Sequence, residues 1–400
     1  MNMLSRTTRS IAVALIGLTS LAVLGGCAVG GVSAVSSNAT ITPATPTNPS
    51  TPTTPVTPAT PVTPTFESDL TGVALNTVTN RFYVADAAGN GGPGTGEVLV
   101  FDATTNLQID TVTAGAFPVG IAVNPVTNMI YVVCINSQNL LVIDGATDKV
   151  VATLSVGTNP VAVAVNPATN KVYVADGVGE DSSAGVSLGS PNLMVVNGAT
   201  NTVVSQVSLP GLDPVGLAIN TKTNTVYIAT EVGLSVVNGA NDTVTANLGS
   251  TSTDATDPNF YGAFDVAVDE SINTVYVANE STTNGLTVIN GATNTVTESI
   301  PLYLLNASGV SVGSPARMLA VNPTTHMVYI TMETEDMTQN KYVFSVFNGA
   351  TSTVLGTVGL DSRAMGIAVS PVTGLVYTVE SQEVGVINVT TKGTTGISVP

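Results

Sequence analysis

The side chains that could do chemistry in this chain are few, and most are carboxylates. Asp254 and Asp257 stand three residues apart, and Glu333, Glu335 and Asp336 form a second acidic group. Hard oxygen ligands of this kind suit Ca²⁺, although neither group has EF-hand spacing. The sequence names no cofactor. We predict these five residues as metal ligands with Ca²⁺ as the ion, and the alternative is that they are solvated loop carboxylates.

Two arginines form a second candidate site. Arg317 and Arg363 occupy what we interpret as equivalent positions, just before two successive apolar strands, in a chain with only 10 Lys and Arg residues. Two neighbouring guanidinium groups could hold a carboxylate ligand. Asp265, at the start of another apolar strand, and Tyr261 complete the predicted ligand-binding set. The alternative is that the arginines pair with acids of the chain itself, such as Asp361.

The residues needed for nucleophilic catalysis are scarce. His326 is the only histidine, so the chain cannot assemble a Ser-His-Asp triad, a Cys-His pair or a histidine-rich zinc site. Cys134 follows an apolar Tyr-Val-Val run and is predicted to be a buried, unreactive thiol. We therefore predict no catalytic residue.

A sequence repeat positions these residues. Seven times the chain has an apolar run, an Asn-Pro-x-Thr-Asn turn or a near variant, and then a hydrophobic residue, Tyr and Val, Ile or Thr. The period is about 50 residues, as expected of propeller blades. The aligned tyrosines are Tyr83, Tyr131, Tyr173, Tyr227, Tyr276, Tyr329 and Tyr377.

Each repeat predicts four strands, here called a, b, c and d, because β-rich runs alternate with Asn, Asp, Gly and Pro turn signals. In apolar runs such as residues 161–165, Val alternates with Ala instead of a polar residue, so both sheet faces must be covered. A closed ring covers these faces and removes most exposed edges. The predicted fold is all-β, a seven-bladed β-propeller of four-stranded antiparallel blades.

The connections of such a ring lie on two faces. The a–b and c–d turns share one face and are nearly invariant, whereas the b–c and d–a connections share the other and vary in length. Asn or Gly at the end of the a–b turn predicts a left-handed backbone, and His326 fills this position in the sixth repeat. The varying connections predict a recognition face.

Several repeat motifs resemble a known family. Tyr-Val-Ala-Asp at Tyr83 and Tyr173, Tyr-Val-Ala-Asn at Tyr276, and Asn-Gly-Ala-Thr-Asn at Asn197 and Asn290 resemble the YVTN-type β-propeller repeats of bacterial and archaeal cell-surface proteins. The resemblance covers about the last five-sixths of the chain. Because similar propellers include surface-layer proteins, periplasmic binding proteins and lactonase-like enzymes, the resemblance implies a fold and no single activity.

The N-terminus predicts export. Arg6 and Arg9 precede an apolar stretch over residues 11–24, which is typical of a secretory signal ending at residue 26. The Leu-Gly-Gly-Cys sequence that ends at Cys27 resembles a bacterial lipobox, which implies that Cys27 is lipidated. The alternative is an ordinary cleaved signal.

A tether separates the predicted anchor from the propeller. Proline recurs at every third position from Pro43 to Pro64, which predicts an extended polyproline II segment within residues 27–65. The propeller is assigned to residues 66–400. This order places it on the extracytoplasmic side of the cell envelope, at the outer membrane or in the periplasm of a diderm host.

Composition limits the partners. With 27 acidic against 10 basic residues the net charge is −17, which repels nucleic acid and anionic lipid heads. We predict a monomer that contacts the membrane only through its lipid anchor and acts as a non-enzymatic binding scaffold for an envelope protein, peptide or glycan. The alternative is a metal-dependent, lactonase-like hydrolase, in which a cation in the central channel activates water.

Overall fold

The computed structural model describes residues 70–87, 95–181, 186–188, 190–210, 213–230, 233–249, 259–281, 283–305, 311–333, 342–360, 363–380 and 383–389. All regular structure in these ranges is β-strand. They contain no helix that is long and apolar enough to cross a membrane. The predicted signal, Cys27 and the tether lie outside these ranges. One compact unit spans Ser68–Val399.

The strands are numbered along the chain. Blades 1 to 3 contain β1 (Leu70–Asn76), β2 (Arg81–Asp86), β3 (Glu97–Asp102) and β4 (Gln108–Thr113); β5 (Pro118–Asn124), β6 (Met129–Cys134), β7 (Asn139–Asp144) and β8 (Lys149–Ser155); and β9 (Pro160–Asn166), β10 (Lys171–Asp176), the hairpin β11 (Gly179–Asp181) and β12 (Val186–Leu188), β13 (Asn192–Asn197) and β14 (Thr202–Ser208). Blades 4 and 5 contain β15 (Pro214–Asn220), β16 (Thr225–Thr230), β17 (Gly233–Asn238) and β18 (Thr243–Gly249); and β19 (Ala263–Asp269), β20 (Thr274–Asn279), β21 (Leu286–Asn290) and β22 (Thr295–Ile300). The hairpin β23 (Tyr303–Leu305) and β24 (Ser311–Gly313) leads to blades 6 and 7, which contain β25 (Ala316–Asn322), β26 (Met327–Glu333), β27 (Tyr342–Asn348) and β28 (Thr353–Leu360); and β29 (Ala364–Val369), β30 (Leu375–Glu380) and β31 (Glu383–Asn388).

Seven sheets form the blades. Blades 1 to 6 are four-stranded and antiparallel in the order a-b-c-d, and blade 7 has its a, b and c strands in the described residues. The predicted fourth strand of blade 7, near Val399, lies outside them. The all-β, seven-bladed fold is confirmed.

The innermost strands close the ring. Each a strand packs against the next, from β1 through β5, β9, β15, β19, β25 and β29, and β29 packs against β1. Blade 7 meets blade 1 through aromatic packing, since the rings of Phe82 and Tyr377 lie 4.8 Å apart. The inner strands also approach closely, because a Cβ on Gly366 would lie 3.1 Å from the Gly72 Cα. In the described residues, closure therefore involves packing of blade 7 against blade 1.

The tyrosines of the repeat form the inter-blade core. All seven are buried, with at most 3% of the side chain exposed. The Tyr173 hydroxyl lies 3.4 Å from the carbonyl oxygen of Gly239 in the next blade. A Cβ on Gly239 would lie 2.8 Å from this hydroxyl and 2.4 Å from Asn224 Oδ1. The Tyr of one repeat thus packs against the Asn-Gly turn of the next repeat.

The a–b turns adopt the predicted left-handed conformation. The fourth turn residue has φ between 52° and 58° in six blades and 73° at Gly374, and the six are Asn80, Asn128, Asn170, Asn224, Asn273 and His326. The last Asn of one a strand also donates to the turn Asn of the next blade at four joints, which are Asn76 to Asn128, Asn124 to Asn170, Asn166 to Asn224 and Asn220 to Asn273. The predicted turn role of His326 is confirmed.

Candidate functional site

The two faces of the ring differ in their connections. On the uniform face, which carries the a–b and c–d turns, the six described c–d turns also end on one left-handed residue each: Asn106, Asp148, Asn201, Asp242, Asn294 and Ser352. The other face, here the variable face, carries the additional hairpins β11–β12 and β23–β24. Loops of different shape thus stand on a scaffold that is otherwise repetitive.

Arg317 and Arg363 lie together on the variable face. Arg317 is the second residue of β25, whereas Arg363 directly precedes β29, so their positions are not equivalent but two residues apart. The start of every a strand has a register shift, and in blade 6 it lies between Ala316 and Leu319, next to Arg317. Both Nε atoms approach the same atom, Glu333 Oε2, at 3.3 and 3.5 Å.

A second carboxylate completes this cluster. The Glu280 side chain, just after β20, forms an ion pair with an Arg317 terminal nitrogen. The Arg317 guanidinium also lies 4.9 Å from the centre of the Phe264 ring, which is cation–π geometry. Two carboxylates from blades 5 and 6 therefore neutralise the two guanidinium groups that we predicted to hold a carboxylate ligand. Asp361, named above as the alternative partner, lies outside the described residues.

Asp265 occupies a different environment on the inner strand of blade 5. Its Oδ2 accepts a hydrogen bond from the Leu319 N–H of the next blade at 2.8 Å, and its Oδ1 accepts one from Val266 N–H at 2.8 Å. Solvent reaches part of the side chain, but protein surrounds the rest. This burial raises the Asp265 pKa to about 7, although the two N–H donors oppose the shift. The carboxyl group therefore changes charge near neutral pH.

The described residues contain no group of three His, Cys, Asp or Glu side chains that could hold a metal ion. Among the predicted ligands, Asp254, Asp257, Glu335 and Asp336 lie outside these residues, and Glu333 is held by the two arginines. Tyr261 lies in the turn before β19 and is partly exposed. The predicted metal and ligand roles of these residues stay predictions.

His326 has polar partners that the sequence did not predict. Its Nδ1 lies 2.9 Å from Asp269 Oδ2 and 3.2 Å from Ser271 Oγ. In a catalytic triad the acid and the serine contact different ring nitrogens, whereas here both contact the same one. This trio therefore stands where four other joints have the Asn pair, and it is not a triad.

Two other groups act within the scaffold. Cys134 is fully buried, and burial raises its thiol pKa to about 11, so it is unreactive.

Asp176, the last residue of a Tyr-Val-Ala-Asp motif, accepts hydrogen bonds from Thr158 N–H and Asn159 N–H at 2.9 and 2.8 Å. Sequence reasoning assigned no role to Asp176, although the motif Asp at the end of a b strand was a signal for it.

Comparison with known proteins supports the fold and assigns no function. No protein-family model matches the chain, and no curated protein matches it. A solved chain titled Kuenenia stuttgartiensis Hydrazine Synthase has a TM-score of 0.64 and 15% sequence identity, and the match covers 84% of this chain and 99% of that one. At this identity the similarity shows a common propeller fold. Membership of the YVTN-type family stays a prediction.

Proposed function

We propose that this protein is a lipid-anchored β-propeller of the YVTN-repeat type that binds an envelope partner through its variable face without chemical turnover. The observation that carries the proposal is the asymmetry between the two faces. The uniform face repeats one turn geometry seven times, whereas the variable face adds two hairpins and the arginine–glutamate cluster. Different loops on a rigid scaffold are typical of recognition surfaces.

The charges of the variable face favour a polar or uncharged partner surface over a small anion. Glu280 and Glu333 already neutralise Arg317 and Arg363. A partner would therefore meet paired charges and exposed loop side chains such as Tyr303, which is 55% exposed. An envelope protein, a peptide or a glycan meets this description.

The membrane location rests on the N-terminal sequence. A signal-like stretch ends at the lipobox-like Cys27, and a proline-rich segment separates it from the propeller. Several acyl chains on Cys27 would give stable anchoring that one chain does not provide. The extended tether would hold the propeller away from the lipid surface.

Site-specific photo-crosslinking in intact cells tests the proposed face. One variant carries the photoreactive residue at Tyr303 on β23, and a matched variant carries it at Val126, which is 75% exposed on the uniform face. We expect a discrete crosslinked partner with the first variant and none with the second. Crosslinking only from Val126, or from neither position, would exclude binding through the variable face. Turnover of a lactone by the purified protein would instead favour the hydrolase alternative.

A further inference from the structure

The side chains beside the central channel are largely apolar. The second residue of the inner strand is partly exposed in all seven blades and is apolar in five of them; in chain order these residues are Thr71, Val119, Val161, Val215, Phe264, Arg317 and Met365. Because both faces of an inner strand lie against neighbouring blades, the solvent that these side chains contact belongs to the channel and its mouths. An apolar body placed there would gain about 25 cal/mol for each Å² that it buries.

Asp265 is the exception in this wall. It is the third residue of β19, where the other inner strands have small or apolar residues, namely Gly72, Gly120, Ala162, Gly216, Met318 and Gly366. Its Oδ2 accepts from the N–H of Leu319 on β25, which pairs with a neighbouring strand on one side only. The Asp265 carboxylate therefore lies at the free inner edge of the blades, beside the channel.

Within the described residues, no Lys, Arg or His forms an ion pair with Asp265. The ion pairs of Arg317 and Arg363 are with Glu280 and Glu333. Each Asp265 oxygen accepts one N–H bond, and a carboxylate oxygen has room for a second donor. Among the residues that the structure describes, Asp265 is thus a carboxylate without a cationic ion-pair partner, beside largely apolar side chains.

We propose that the channel binds a small primary ammonium ion with an apolar body, and that Asp265 is its anionic partner. The ammonium group has three donors, which match the acceptor sites left on the carboxylate. The apolar body packs against apolar side chains of the inner strands, such as Val215 on the neighbouring strand β15. This site goes beyond the proposed function, because it lies in the channel wall and does not use the variable loops.

The protonation of Asp265 gives the site a pH dependence. Because burial raises the Asp265 pKa to about 7, the carboxylate is mostly protonated at pH 6 and mostly charged at pH 8. An alkylammonium ion, with a pKa near that of Lys at about 10.4, stays charged at both. The affinity for the amine should therefore rise by about tenfold from pH 6 to pH 8.

Isothermal titration calorimetry on the purified protein tests this site, with hexylamine as the probe and hexanol and hexanoate as neutral and anionic analogues. We expect one hexylamine to bind per chain at pH 8, with binding about tenfold weaker at pH 6, and no binding of the analogues. The variant Asp265→Asn, close to isosteric, should lose the binding. The control variant Asp269→Asn changes an acid at the other end of β19 to the Asn found in five other blades, and should bind as the wild type does.

Several outcomes would overturn the proposal. They are equal binding of hexylamine by Asp265→Asn, equal binding of hexanol or hexanoate, an affinity that does not rise with pH, or no binding by the wild type. If Asp265→Asn does not fold, the wild-type pH profile and the comparison of the three probes still decide. Failure here leaves the crosslinking test of the variable face unaffected.

Discussion

At the residue scale, the repeat motif is a set of contacts between neighbouring blades. Tyr173 of blade 3 and Asn224 of blade 4 both contact the Asn-Gly turn of blade 4, and the space they fill at Gly239 is where a Cβ would stand. The same arrangement recurs at Gly198, where a Cβ would lie 2.9 Å from the Tyr131 hydroxyl and 2.6 Å from Asn170 Oδ1. Neither glycine has a positive φ, so packing and not turn conformation favours glycine at Gly198 and Gly239.

A pair of matched glycine variants tests this explanation. Gly239→Ala should lower the free energy of unfolding by about 1–3 kcal/mol, because the new Cβ overlaps Asn224 Oδ1 and the Tyr173 hydroxyl. Gly359→Ala, on β28, meets nothing within 4 Å and should change it by less than about 1 kcal/mol. Urea denaturation measures both. Equal midpoints for the two variants would contradict the packing explanation.

At the element scale, the c strand of blade 7 differs from its counterparts. The middle residues of β31, Val384, Gly385 and Val386, are partly exposed, whereas residues 140–143 of β7 are buried. In blades 1 to 6 a d strand pairs with this edge. The C-terminal residues 393–400 are the segment that we expect to pair here. The tether is a poor candidate, because prolines three residues apart would put some prolines where the edge needs an N–H donor.

Truncation of the chain after Lys392 tests this assignment. We expect a lower melting temperature and increased binding of a hydrophobic dye, because the edge of β31 and the apolar surface of blade 7 would lose their cover. A chain that lacks tether residues 43–60 is the control, and its melting temperature should be unchanged. If the truncated chain melts at the same temperature as the full-length protein, residues 393–400 are not the fourth strand of blade 7.

The sequence predicted the elements well because their signals are local. The turn Asn residues, the blade number and the left-handed His326 follow from short motifs that recur at a fixed period. The arginine–glutamate cluster was harder to predict, since Glu280, Glu333 and Arg363 come from three blades and their pairing has no local signal.

At the scale of the whole molecule, basic side chains form ion pairs between neighbouring blades. Arg81 pairs with Asp148 and Lys171 with Asp242, and each pair joins one blade to the next. Together with the pairs of Arg317 and Arg363 on the variable face, these pairs hold four of the 10 basic residues of an otherwise acidic chain. The surface is left acidic, so attraction to anionic lipid is not expected to place the protein at a membrane.

Lipidation of Cys27 is therefore the predicted cause of membrane association. Cys27→Ser should move the protein from the membrane fraction to the soluble fraction and abolish labelling by a fatty-acid probe. Cys134→Ser is the matched control, since that thiol is buried in blade 2, and it should keep both properties. Membrane association of Cys27→Ser equal to that of the wild type would exclude the anchor.

The joint between blades 5 and 6 has a consequence for how such a ring can be inherited. The four joints between blades 1 and 5 share the same Asn pair. If one of blades 2 to 4 is duplicated or lost, the blades that become neighbours can therefore still form this hydrogen bond. Losing blade 5 alone would set Asn220 against His326, and losing blade 6 alone would set Asp269 against Gly374. Blades 5 and 6 are thus expected to be kept or lost together, while the others can change in number.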